Sequence, residues 1–258
     1  MMKLKNIKLS YDQLVVVDDL TMNIEKGSIT TIIGPNGCGK STLLKAMSRI
    51  LEPIQGDILL DGKDLFSIPT KEIARKLAFL PQSQNILNGL TVFELISYGR
   101  YPYQKGVGKL SEKDMKAIHK AMDLTHITEL KDRGIDQLSG GQRQRVWIAM
   151  SLAQETDMIF LDEPTTYLDI AHQLDVLHLL EKLNKETNKT IVMVLHDINQ
   201  AAYFSDYVIA IKEGKVIKSG LGEDVITKEI IKDVFQVDVE IMFDQTSKKP
   251  ITFNYKRI

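Results

Sequence analysis

The sequence predicts an α/β protein that carries a helical insertion, and three observations predict it. A β-branched run, Ile29-Thr30-Thr31-Ile32-Ile33, leads through glycine-rich Gly34–Thr42 into helical spacing at Thr42-Leu43-Leu44-Lys45-Ala46-Met47. From residue 157 onward, short apolar runs alternate with helical patterns, as they do when a parallel sheet is built from strand–helix–strand units. Between these parts, residues 84–156 change character and read as helices at Thr91–Ser97, Ser111–Leu124 and Gly140–Gln154. The expected organisation is one domain over 1–258. Residues 1–83 and 157–258 form its core, and 84–156 form a helical subdomain.

Taken in order, residues 3–33 alternate and turn as short strands, with Leu14-Val15-Val16-Val17 and Ile29–Ile33 the β-rich runs and Glu25-Lys26-Gly27 a turn. Gly34-Pro35-Asn36-Gly37-Cys38-Gly39-Lys40-Ser41-Thr42 has the spacing G-x-x-x-x-G-K-S between a strand and a helix, which is the context of a P-loop. Its glycines allow amide N–H groups to turn inward, and the helix start adds unpaired donors and a positive dipole end. Lys40 is expected to reach the β- and γ-phosphates of a nucleotide and Ser41 to hold Mg²⁺, while Cys38 stands at a free position of the pattern. A glycine-rich turn before a helix is the plainer alternative; the flanking strand and helix argue against it.

Beyond the P-loop helix, Asp57-Ile58-Leu59-Leu60-Asp61-Gly62 reads as a strand into a tight turn, and Ala78-Phe79-Leu80-Pro81 as a short strand that leaves Gln82 exposed at its tip. Gly99-Arg100-Tyr101-Pro102-Tyr103-Gln104-Lys105-Gly106 is expected to be a loop. Met158-Ile159-Phe160-Leu161 is a buried strand that ends at Asp162-Glu163. A helix over Ile170–Leu183 follows, then a strand over Thr190–Leu195 that ends at His196-Asp197. Tyr207–Ile211 and Lys215–Ile217 make a hairpin about Glu213-Gly214, and two short strands are expected after Val237.

Bulk properties narrow the function classes. The chain is 43% hydrophobic and 26% charged with net charge −1, which gives no electrostatic argument for a nucleic-acid partner. A single cysteine precludes an internal disulfide and fits a reducing compartment. Met1-Met2-Lys3-Leu4-Lys5-Asn6 lacks the apolar centre of a signal peptide, and no apolar run approaches the ~18 residues of a membrane span. A cytosolic protein is expected.

In open α/β sheets, ligands sit beyond the carboxyl ends of the strands. The P-loop, Asp162-Glu163, His196 and Gln82 all fall at such ends. Asp162 is placed to support Mg²⁺ through its water shell, and Glu163 to orient or deprotonate an attacking water. By itself an Asp-Glu pair would read as helix-terminal charge, and a lone His as a structural hydrogen-bonder; the P-loop upstream changes both readings. His172 and His178, six apart on one helix, and His119 and His126 lack a metal-ligand spacing and read as solvated or capping groups. Leu138-Ser139-Gly140-Gly141-Gln142 opens a long helix with Ser139 as N-cap, a second anion-ready terminus that makes sense if it closes on the nucleotide of another copy.

This set resembles the ATP-binding cassette (ABC) family over nearly the whole chain. Gly34–Thr42 matches its Walker A, Gln82 its Q-loop, Leu138–Gln142 its signature, and Met158–Glu163 its Walker B with the catalytic glutamate. Tyr167-Leu168-Asp169 matches its D-loop and His196 its switch histidine. Tyr11, which alone reads as a strand aromatic, then takes the place of the residue that stacks on adenine. The resemblance implies the P-loop NTPase fold of ABC ATPases, with an N-terminal antiparallel β region. It implies a catalytic set of Glu163, His196 and Gln82, with Ser41, Gln82 and Asp162 around Mg²⁺. ATP would be held by Tyr11, Gly34–Thr42, Ser139, Gly140, Gly141, Gln142 and Asp169, with two copies enclosing two ATP molecules. It implies integral-membrane permease subunits, an extracytoplasmic substrate-binding protein reached through them, and a place on the cytoplasmic face of the cell membrane. Tyr98–Tyr103, Leu138–Ala149, Thr165–Ile170 and Leu195–Gln200 look like ATPases of bacterial iron(III)-siderophore importers, with haem and cobalamin importers close to them. A non-transport ABC protein acting on ribosomes or DNA usually carries two cassettes or a long coiled-coil insert. A P-loop kinase or GTPase leaves Leu138–Gln142 and His196 without a role.

Overall fold

A computed structural model describes residues 1–82, 89–104 and 109–258. The chain divides into two compact units, Met1–Ile68 with Leu183–Ile258, and Pro69–Lys182. The division by contact places Leu77–Leu80 and Met158–Leu161 with the helical block, whereas the sequence-based division keeps them with the core. Residues 84–88 of the expected subdomain, and Lys105 and Gly106 of the expected loop, lie outside the described residues.

The first unit begins with an antiparallel sheet in the order Leu14–Ile24, Met2–Tyr11, Gln55–Leu60, Lys63–Asp64. Met2, Leu4, Ile7 and Leu9 face the core on one strand, and Val17, Leu20, Met22 and Ile24 on the next. Each series contains one interval of three where strict alternation needs two. The register shifts at those places, Asn6 and Asp19 take positive φ, and the Asn6 amide donates to Asp19 Oδ1 at 2.7 Å. Paired bulges therefore keep both apolar series on one face.

A second set of strands runs in the order Lys215–Gly220, Tyr207–Lys212, Ile29–Ile33, Thr190–Val194, with Ile29–Ile33 parallel to both neighbours. Every residue of Ile29–Ile33 and Thr190–Val194 is buried, as expected of continuous β-branched runs covered on both faces. The helix predicted over Ile170–Leu183 continues to Thr187. Asn184 extends it by donating to the Gly27 and Lys189 carbonyls, and Asn188, at positive φ, ends it. Helices at Ile198–Phe204 and Lys228–Phe235 lie outside the sequence-based expectations. They share a small core of Ile198, Ala202, Ile226, Ile231 and Val239 with the tail hairpin Val237–Phe243 and Pro250–Arg257.

In the second unit, Leu77–Leu80 pairs in parallel with Met158–Leu161. Its helices Val92–Ser97, Glu112–Leu124 and Gly140–Ala153 each begin with a capping box, at Thr91/Glu94, Ser111/Asp114 and Ser139/Gln142. Tyr98–Tyr103, expected as a loop, is a 3₁₀ helix. The cause is Arg100, whose side chain is completely buried. Its guanidinium donates to Asp114 Oδ1 at 2.8 Å, the Ala153 carbonyl at 2.7 Å and Glu155 Oε2 at 2.8 Å, and lies 4.1 Å from the Tyr103 ring centroid. A buried cation held by three acceptors fixes the segment as regular structure where its Gly, Pro and Tyr content alone suggests none.

Candidate active site

The first unit holds the P-loop. Ile33 ends a strand, and Gly34 follows so close to the neighbouring strand that a Cβ there would lie 2.2 Å from the Ile211 carbonyl oxygen. Gly39 is the N-cap of the helix Lys40–Met47 at φ 102°, a left-handed conformation that favours glycine, and it offers no side-chain cap. A helix start of this kind, with no side-chain cap, is suited to an anion. Asn36 and Gly37 form the exposed tip, while Cys38 is buried and its carbonyl accepts from the Gly214 N–H at 3.0 Å, which ties the loop to the hairpin turn Glu213-Gly214. Burial pushes the Cys38 thiol up, against the pull of the nearby Lys40 charge. Lys40 is buried, and its ammonium donates to the Gly34 and Pro35 carbonyls at 2.9 Å each. Ser41 is half-buried and Thr42 buried on the first turn.

Two more expected site residues share this unit. Tyr11, 43% exposed at the end of its strand, has the Lys45 ammonium 6.0 Å from its ring centroid, which sets the ring beside the P-loop helix. His196 follows Leu195, whose N–H reaches the Ile32 carbonyl, so His196 and Gly34 leave adjacent parallel strands at the same edge. Its neighbour Asp197 is a helix cap, accepting from Gln200 N at 2.8 Å.

The second unit holds the remaining set. Asp162 is buried at 4% exposure, and its N–H donates to the Leu80 carbonyl at 2.9 Å. Glu163 stands at positive φ (51°), which turns it out of the strand direction. Its Oε2 accepts from the Gln82 side-chain amide and, at 2.9 Å, from the Thr166 hydroxyl. The structure therefore brings Gln82 and Glu163 together from segments 81 residues apart, and adds Thr166, which sequence reasoning missed. A carboxylate held by two neutral donors is oriented and stays available as a proton acceptor.

Ser139 caps Gly140–Ala153 by accepting from Gln142 N at 3.3 Å, and the Gln142 side chain returns to Ser139 N at 3.1 Å. Asp169 precedes the helix Ile170–Thr187. Its carboxylate is held below the ordinary range by the His172 backbone N–H and then by the His172 ring. His172, expected to be a solvated or capping group, is half-buried and packs against Gly141, while its backbone N–H is capped by the Asp169 carboxylate. No signal in its spacing along the helix reveals that contact. Tyr167 (91% exposed) and Ile170 (74%) present apolar surface beside it.

The family description "ABC transporter" matches residues 17–166. The chain is 52% identical over 254 residues to the iron(3+)-hydroxamate import ATP-binding protein FhuC of Bacillus subtilis, covering 98% of this chain and 94% of that one. It is 44% identical to the ferric enterobactin transport ATP-binding protein FepC of Escherichia coli, covering 96% of this chain and 91% of that one. Among solved structures, the dimeric bacterial ABC transporter cassette MJ0796 superposes with a TM-score of 0.76 at 31% identity, covering 86% of this chain and 98% of that chain.

Proposed function

The chain belongs to the ABC transporter family, and we propose that it is the ATP-hydrolysing subunit of a bacterial importer for iron(III)–siderophore complexes. The observation that carries the ATPase reading is the Glu163 carboxylate at a strand end, gripped by Gln82 and Thr166, in a chain that also carries a P-loop leading into a helix through Gly39. The cargo rests on the full-length similarity to proteins named for iron(3+)-hydroxamate and ferric enterobactin transport.

In this reading the amides of Gly34–Thr42 and the Lys40 ammonium neutralise the triphosphate of ATP, with Lys40 exchanging its two loop carbonyls for phosphate oxygens. Tyr11 stacks on the adenine. Ser41, Asp162 and Gln82 would offer Mg²⁺ oxygen donors, the kind it prefers, and the ion would neutralise charge at the phosphates. Glu163 takes the proton of the attacking water, and His196 contacts the γ-phosphate. Ser139, Gly140, Gly141, Gln142 and Asp169 serve the nucleotide of a second copy; the similarity to a dimeric cassette and the exposed Tyr167 and Ile170 support this arrangement. Among the described residues no helix is long and apolar enough to cross a membrane. The protein acts peripherally, on the cytoplasmic face, through permease subunits that receive cargo from an extracytoplasmic binding protein.

The test is affinity capture of Glu163→Gln from native membranes with ATP. Recovery of a polytopic permease and an iron-siderophore binding protein is the expected result. Ribosomal or DNA-repair partners alone would overturn the transport reading and leave the ATPase chemistry standing.

A further inference from the structure

The imidazole of His172 makes two contacts with opposite edges. On one edge, Nδ1 lies 2.7 Å from Asp169 Oδ1, the same oxygen that accepts from the His172 backbone N–H at 2.9 Å. On the other edge the ring occupies the space in which Gly141 would carry a side chain. A Cβ on Gly141 would fall 2.4 Å from His172 Cδ2, 3.0 Å from Cγ and 3.2 Å from Nε2. Leu168 covers the neighbouring glycine in the same way but more loosely, with Cδ2 3.7 Å from a Cβ built on Gly140. One helical turn further along, Arg145 Nη2 donates to Asp175 Oδ2 at 2.7 Å and ties the same two helices again.

We infer that His172 is a positioning residue that fixes the Ser139–Gly141 segment to Asp169, so that the two elements this chain presents to another copy's nucleotide move as one piece. This rests on the proposed role of Ser139–Gly141 and Asp169 in a second copy's site. Three features argue for it. The ring fills a gap that only glycine at position 141 leaves, so any side chain there would displace it. Its Nδ1 bond to the Asp169 carboxylate removes the rotation that would let the ring swing out of that gap. Both elements sit at helix N-termini, where a displacement of about 1 Å redirects the amide donors away from a bound phosphate. His172 touches neither phosphate nor reacting atoms in this assignment and acts through Gly141 and Asp169.

The experiment measures ATP-driven dimerisation by sedimentation in the Glu163→Gln background, alongside monomer ATP affinity and thermal midpoint. Adding His172→Ala is expected to weaken dimerisation about tenfold with monomer affinity unchanged. His172→Asn keeps a donor near the Nδ1 position and is expected to recover most of that loss, to within about threefold of the parent. Dimerisation of the alanine variant equal to the parent, or a matching loss of monomer affinity, overturns the inference. A Glu163→Gln parent that never dimerises with ATP overturns the underlying two-copy reading instead.

Discussion

The helix starts at Gly39-Lys40 and at Ser139-Gly140-Gly141 both involve glycine, and they are built in opposite ways. At the P-loop, Gly39 gives the helix Lys40–Met47 no side-chain cap, and backbone crowds Gly34 through the Ile211 carbonyl. At Gly140–Ala153, Ser139 and Gln142 close a capping box, and a side chain, His172, crowds Gly141. In the reading proposed above, the first terminus binds an anion within its own chain and offers no competing side-chain cap, whereas the second serves another copy's site and carries a capping box with His172 packed against it.

Substitutions at the two termini can break this comparison. Ser139→Arg is expected to reduce steady-state ATP hydrolysis to background while monomer nucleotide affinity, measured by calorimetry, stays within about twofold. A large loss of monomer affinity would make the second terminus a cradle like the first. Lys40→Ala should do the reverse, lowering monomer ATP affinity by about a hundredfold through loss of a charge-assisted contact.

Smaller effects sharpen the contrast at the level of support. Asp114→Ala removes a partner of the buried Arg100 and one half of a capping box, and should destabilise the protein by about 3 kcal/mol in urea unfolding with monomer ATP affinity unchanged. Burial opposes the Asp114 charge, but the Ser111 hydroxyl, the Arg100 guanidinium and the Ser111 amide outweigh it and hold the carboxyl below its usual range. A folded value below the unfolded one means that this contribution is complete above the ordinary aspartate range and fades as pH falls through the folded value. The stability difference between wild type and Asp114→Ala should therefore shrink in acid; a difference constant with pH would contradict the ion pair. Tyr11→Ala, the mildest change, should weaken ATP binding by about tenfold, the worth of one stacked base, and leave binding of inorganic triphosphate unaltered.

The P-loop, the strand ends at Asp162 and His196, the hairpin about Glu213-Gly214 and the helix starts at Thr91, Ser111 and Ser139 were legible because each depends on residues adjacent in the chain. Local backbone preference and capping chemistry write themselves into spacing. The regular structure at Tyr98–Tyr103 was not legible, because its cause is a guanidinium whose Nε and Nη1 are held by Asp114, Ala153 and Glu155, far along the sequence. The helices Ile198–Phe204 and Lys228–Phe235 were missed because they are short and owe their stability to packing with a tail hairpin. Thr166 and His172 escaped notice for a related reason. Threonine in a loop and histidine on a helix carry no pattern until the groups they touch are known.

The chain has one thiol, and the fold puts it inside the phosphate loop at 5% exposure with its ionisation suppressed. Alkylation of Cys38 can proceed only during moments when that loop opens and the sulfur becomes thiolate. The labelling half-life of the unmodified protein is therefore a clock for a single local motion. Bound nucleotide should slow that clock and unfolding should speed labelling to the rate of a free thiol, with no engineered probe and no competing cysteine to subtract.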